Sequence, residues 1–211
     1  MSVLGGLMPR RVFEIFEDLT RIPRGSGNTK EVEEYLVNYA IAHGFKYVHE
    51  EIGNVIIFVD GRGAGKGKDS VMLQGHMDMV CEKTIDSRHN FRKDPLPIAV
   101  MDDYVYAKQT TLGGDDGIAI AYALALAEDE HISHPPLEIV ITVDEEVGME
   151  GARKLDTSVL SSKTLINIDS EEEGSFVTSC AGGLRGKMEV PVRYRAAEGE
   201  KYNIIISGLK G

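Results

Sequence analysis

The sequence predicts an α/β fold with a largely parallel central sheet and flanking helices. Three observations carry that reading. Short continuous apolar runs recur along the chain, helical patterns lie between them, and the runs end in acidic or histidine residues, as the strand tails of such sheets do.

The first helix spans residues 9–22, where Val12, Phe13, Ile15, Phe16, Leu19 and Ile22 recur at helical spacing behind Pro9. A second starts near Asn28 or Thr29, buries Val32, Tyr35, Leu36 and Tyr39, and stops at Gly44, which tolerates a left-handed terminus. Residues 54–60 and 70–74 are β-branched strands, and the glycine-rich loop 61–68 between them makes the pair read as a hairpin. That loop lacks the GxxxxGK[ST] spacing of a phosphate cradle and precedes a strand, so nucleotide binding does not follow. Residues 97–100 and 104–108 flank Asp102-Asp103 as a second hairpin.

The period then changes. Asp115-Asp116-Gly117 opens a helix from Ile118 to about Glu130, whose alanines face nearly every direction, so it is buried on most sides. Residues 137–143 and 164–168 read as strands covered on both faces, with a short helix near 149–155 between them. After Ala181-Gly182-Gly183 the texture shifts: Met188, Val190, Val192 and Tyr194 alternate with polar residues, and 201–207 is a further strand. Two strands in about 30 residues cannot form their own core. The chain is therefore expected to hold a first domain at 1–182, the truncated beginning of a second at 183–211, and to be an N-terminal fragment.

Composition narrows the function. With 23 Lys+Arg against 34 Asp+Glu the 211-residue chain carries a formal charge of −11, and no clustered basic face is available to neutralise a nucleic-acid backbone. The longest apolar run, residues 118–127, is half of the roughly 20 residues a membrane-spanning helix needs. The stretch 3–8 contains two glycines and runs into Pro9-Arg10-Arg11, the wrong order for a secretion signal, so a cytoplasmic protein is expected. Cys81 and Cys180 fit buried free thiols better than a metal knuckle or a redox pair.

Ligands of open α/β sheets bind at the carboxyl ends of strands. Here the run 71–74 leads to Gly75-His76-Met77-Asp78, the second hairpin to Gly113-Gly114-Asp115-Asp116-Gly117, the run 137–143 to Asp144-Glu145-Glu146, and the run 164–168 to Asp169. No Lys or Arg interrupts these tails, so either the carboxyl pKa values rise or cations fill the gap. Imidazole with carboxylates suits zinc, cobalt or manganese better than calcium, and zinc is the first choice. His76 can ligate while Asp78 fixes its tautomer or orients a neighbouring group. Asp115 can bridge two metals, and Asp116 sits where a helix dipole favours negative charge. Of Glu145 and Glu146, one can bind metal and the other serve as a base. Singly these signals have ordinary readings, a satisfied core pair, a helix cap or a solvated acidic face; their joint placement on strand tails outweighs them.

At these residues the sequence resembles the cytosolic aminoacyl-histidine dipeptidases, within the dinuclear zinc aminopeptidases, carboxypeptidases and deacylases. The likeness runs through Gln74-Gly-His-Met-Asp-Met-Val80, Thr110-Thr-Leu-Gly-Gly-Asp-Asp-Gly117, Asp144-Glu-Glu-Val-Gly-Met149, Ile168-Asp-Ser-Glu-Glu-Glu-Gly174 and Cys180-Ala-Gly-Gly183. It implies a three-layer catalytic domain followed by an α+β lid. It makes His76 and Asp169 ligands of one zinc, Asp115 the bridge, Glu146 a ligand of the second zinc, Glu145 the general base and Asp78 its supporting acid, with a cis peptide between Asp115 and Asp116. Cobalt or manganese could replace zinc. The implied reaction is hydrolysis of a small peptide, a dipeptide with C-terminal histidine: zinc supplies Lewis acidity, and Glu145 takes the proton of the attacking water and passes it to the departing amine. For the full-length enzyme the resemblance also implies a homodimer. The family's second zinc takes a further histidine from a late segment that finds no match here, and His43, His49, His89, His131 and His134 do not replace it; the His131-x-x-His134 pair reads as surface. The second metal is thus expected to be weak or absent, and this chain to be inactive alone. The alternatives are another member of the same metal family and a non-catalytic metal-binding module.

Overall fold

The computed structural model describes residues 2–170 and, beyond them, 174–179, 187, 189–193, 195–196, 198–200 and 202. The chain divides into two compact units, residues 1–173 and 174–211. The expected lid start at residue 183, the 180–183 motif and Cys180 lie outside the described residues, as does the strand expected at 201–207 apart from Tyr202. The strand expected around 188–194 is not one over its described residues 189–193; among the described residues of that unit no second strand supplies a ladder.

The first unit runs α1 (Arg10–Thr20), α2 (Lys30–Ala42), β1 (Lys46–His49), β2 (Val55–Val59), β3 (Val71–His76), β4 (Ile98–Met101), β5 (Tyr104–Ala107), α3 (Gly114–Glu128), β6 (Leu137–Thr142), α4 (Glu150–Lys154) and β7 (Thr164–Asn167). Mixed α/β architecture is what the alternation of runs predicts. The main sheet has the order β1-β2-β6-β3-β7, with β6, β3 and β7 parallel and β1 and β2 antiparallel.

The expected hairpin of β2 with β3 does not form, because β6 lies between them and β2 turns to β1 on its other side. The physical reason is burial. All six residues of β6 are buried, and a strand that apolar gains most from the central slot, where both edges are paired. The loop 61–68 instead reaches sideways, pairing Arg62 with His134 through backbone hydrogen bonds of 2.8 and 3.2 Å.

Register explains how the strand tails meet. His76 stands opposite Thr142, so β3 and β6 end level. Asn167 stands opposite Gln74, which brings Asp169, two residues further on, level with His76. The core beneath is built from α1 packed on α3, α3 on β3, and α2 on β1 and β2, with Ile15, Phe16, Leu36, Leu124, Ile57, Ile139 and Ile141 among its buried members. Helix α3 is buried on most sides as expected.

Three further expectations are corrected. Strand β7, at one edge of this sheet, is exposed rather than covered on both faces. Cys81 is an exposed residue, since the chain has already left β3. His134 is buried, held by its backbone pairing with Arg62, while His131 is exposed. The hairpin at 97–108 forms as expected, as a separate antiparallel pair whose turn places Asp102 at φ 53°.

Substituting Ile139→Ala in the central strand should lower stability by about 2–5 kcal/mol, read from the urea midpoint. Tyr104→Ala at the β4–β5 tip, where the side chain is 73% exposed, should stay within about 0.5 kcal/mol of the parent.

Candidate metal centre

The site grows from the end of β3. His76, its last residue, is 1% exposed, and Asp78 is fully buried. The His76 Nδ1–H donates to the Asp78 carbonyl at 3.1 Å, with Asp78 Oδ1 at 3.4 Å. That bond directs Nε2 at the carboxylates opposite, Asp115 Oδ1 at 2.8 Å and Asp169 Oδ2 at 3.9 Å.

Asp115 comes from the start of α3. There Gly113 has the left-handed φ of 66°, the backbone of Asp115 and Asp116 is not helical, and the peptide between them is cis. Asp115 thereby faces His76, while Asp116 turns inward beneath β3. This corrects the helix-dipole reading of Asp116: its carboxyl is 1% exposed, and Oδ2 accepts the His76 backbone N–H at 3.1 Å. Gly75 makes the approach feasible, because a Cβ there would lie 2.5 Å from Asp116 Oδ2.

Beyond β6, Asp144 adopts φ 52° and the chain bends across the site. The Asp78 carboxylate fixes this bend. It accepts the Glu145 N–H at 3.0 Å, the Glu146 N–H at 3.4 Å and the Ser26 hydroxyl at 2.7 Å. Asp78 thus connects the imidazole to the backbone that carries both glutamates.

Two sets of potential ligands result, His76 with Asp115 and Glu146, and His76 with Glu145 and Asp169; within each set the ligand atoms lie within 4.8 Å of one another. His76, Asp115, Glu145, Glu146 and Asp169 therefore lie around one point, and Asp78 touches His76 and the Glu145–Glu146 backbone beside it. None of the other histidines joins these sets among the described residues. Sequence reasoning missed Ser26 and Arg24, which touch the β3 tail from the turn before α2. A Pro-Arg-Gly-Ser-Gly turn has no periodicity to announce such a role.

Charge at this point is poorly compensated. Burial and the nearby Asp169 and Asp115 push the Asp116 carboxyl up to about 8, although His76 draws it down. Burial also raises Glu145, with Asp169 adding to it, and Glu146, with Asp115 adding to it. Asp78 is held below its usual range: burial opposes this, but hydrogen bonds from His76, Ser26 and the Glu145 N–H prevail. Burial lowers His76, yet Asp78, Asp116 and Asp115 outweigh it and lift the imidazole to about 9. Asp116 Oδ1 has no hydrogen-bond partner. One imidazole beside clustered carboxylates, three of them biased toward neutrality, is a donor set that a divalent cation fits, since its charge reverses each upward shift.

A carboxyl with a raised folded pKa contributes stability that is full below its unfolded value and is lost as pH rises through the folded one. For Asp116 that window runs from about 4 to about 8. Metal-free protein should therefore lose urea resistance between pH 5 and pH 8, and Asp116→Asn should flatten that slope.

Comparison with known proteins follows the same residues. No family model matches the chain. Over 213 aligned residues the chain is 38% identical to the cytosol non-specific dipeptidase of Escherichia coli (strain K12), covering 100% of this chain and 44% of that protein. The crystal structure of the aminoacylhistidine dipeptidase from Vibrio alginolyticus matches with a TM-score of 0.79 and 37% identity, over 81% of this chain and 35% of that one. A tripeptidase from Staphylococcus aureus matches with a TM-score of 0.65 and 25% identity, over 77% and 43% respectively. The chain spans less than half the length of the curated relatives it matches. By sequence and by fold, the chain is similar to these dipeptidases over part of their length.

Proposed function

We infer that this chain supplies the first part of the active site of a metal-dependent dipeptidase. The observation that carries the reading is the convergence of His76, Asp115, Glu145, Glu146 and Asp169 on one point from four separate segments. In this reading His76, Asp115 and Asp169 hold one ion and Asp115 with Glu146 holds a second more weakly. Zinc is the resident metal, with cobalt or manganese as substitutes. When bound, such an ion supplies Lewis acidity at the peptide carbonyl and lowers the pKa of water.

The remaining chemistry falls to the chain's own groups. Glu145 is the general base. Its carboxylate stands beside His76 and Asp169 on the bend after β6, where it can accept a proton and pass it on. Glu145 takes the proton of the attacking water and returns it to the departing amine. Asp78 does not meet substrate; through the Glu145 and Glu146 N–H groups it holds both carboxylates in place.

The substrate proposed is a small peptide, a dipeptide with C-terminal histidine, a preference supported by the likeness to the Vibrio aminoacylhistidine dipeptidase. A tripeptide substrate is the second reading, favoured by the likeness to the Staphylococcus tripeptidase. A cytoplasmic location is supported by the cytosolic Escherichia coli relative and by the finding that no helix among the described residues is long and apolar enough to cross a membrane. The reading further includes a lid beginning at residue 183, a homodimer of the full-length enzyme, and inactivity of this chain alone, because no other histidine among the described residues joins the ligand sets to serve the second ion.

Metal content and hydrolysis of Xaa-His dipeptides, other dipeptides and tripeptides should be measured on this chain and on the full gene product. Glu145→Ala should lower kcat by about 10²–10⁴-fold while metal content persists, and Asp115→Ala should lose both metal and turnover. Full activity in Glu145→Ala would show the base to be wrongly assigned. Absence of metal and turnover from both chains would remove the enzyme reading.

A further inference from the structure

The turn between α1 and α2 reaches the tails that carry the site, each through a different group. Arg24 is 1% exposed. Its guanidinium donates to the carbonyls of Met77 at 2.9 Å and Asp78 at 3.3 Å, on the β3 tail, and to the carbonyl of Gly113, on the turn that leads to Asp115. Room for it is made by missing side chains: a Cβ on Gly113 would lie 2.5 Å, and one on Gly117 2.6 Å, from an Arg24 nitrogen. Gly25 pairs with Met79 as a parallel bridge. The Ser26 hydroxyl donates to Asp78 Oδ2 at 2.7 Å. The Gly27 N–H donates to Asp144 Oδ1 at 2.7 Å, next to Glu145.

Burying a guanidinium costs several kcal/mol even after relaxation, and an apolar side chain would fill the space without that cost. What the apolar side chain would lack is reach and direction. The Arg24 fork bonds carbonyls of two separate segments at once, which its planar donor array permits and the point charge of a lysine does not. These carbonyls belong to the stretches that carry His76, Asp78 and Asp115, so their spacing sets the spacing of the site.

We propose that Arg24, Ser26 and Gly27 form a positioning bracket that sets the relative placement of the β3, α3 and β6 tails for metal binding, an inference that rests on the metal reading above. None of the three is a ligand or touches the reacting atoms; Arg24 spans β3 to α3, and Ser26 and Gly27 tie this pair to the bend after β6. Groups that orient ligands in this way are worth about 10–100-fold in metal affinity.

The test uses the full chain with Co²⁺ as probe, measuring affinity, the visible absorption of the Co²⁺-saturated protein, and the urea midpoint in chelator. Ser26→Ala and Arg24→Lys should each weaken Co²⁺ binding by about 10–100-fold and alter the saturated spectrum, and Ser26→Thr should restore both. Arg24→Met should bind more weakly still; should it fail to fold, Ser26→Ala and Arg24→Lys decide. If the variants lower only the urea midpoint and keep parental affinity and spectrum, the bracket is merely structural and the proposal is overturned. If the parent takes up no Co²⁺ at all, the metal reading falls and this proposal with it.

Discussion

The arrangement depends on how one immobile imidazole is surrounded by negative charge. His76 ends a strand inside the sheet, is fixed through Nδ1, and faces carboxylates from the start of α3 and from the bends after β6 and β7. Such groups repel one another and resist desolvation, so in isolation several of them drift toward their neutral forms. Folding holds them together because the backbone leaves them no alternative: Asp115, Glu145 and Glu146 stand within a few residues of a buried helix or strand whose position is set by apolar packing, and Asp169 follows β7, which is paired to β3. Stability gained in the core is in effect spent on gathering like charge at the sheet edge.

Parallel pairing makes the gathering possible. Strands β3, β6 and β7 point the same way and end at nearly the same level, so their tails emerge side by side. The acidic tail of β6 is then crossed over the site by Asp144 and secured by Asp78. A single carboxylate, Asp78, serves both the imidazole and the following bend, which is why it is held in its charged form whereas burial raises Asp116, Glu145 and Glu146.

Much of the site could be read from residue order, because a strand followed at once by His or Asp is a local pattern. Helices α1 and α2 were legible for the same reason, each declaring its period within a dozen residues, and α3 was legible as an alanine-rich apolar run buried on most sides. The pairing of β2 and β3 was misread, since a glycine-rich connection looks like a hairpin loop whether or not a distant strand later enters between its flanks. The exposure of β7 was equally hidden: an apolar run shows strand character and not its place in the sheet. Asp116 was placed at a helix mouth because the sequence cannot display the local departure from helical geometry that turns its carboxyl inward. Arg24 carried no signal at all, for its meaning lies in three carbonyls that come near it only after folding.

The late arrival of β6 bears on how the protein is made. Strands β2 and β3 precede it by some sixty residues or more, yet the slot between them is filled only once residues 137–142 exist. During synthesis both strands therefore leave the ribosome with an unpaired flank, the kind of nascent edge that seeks partners in other chains. A pause before codon 167 would lengthen that vulnerable interval, because β3 also waits for β7 on its other flank.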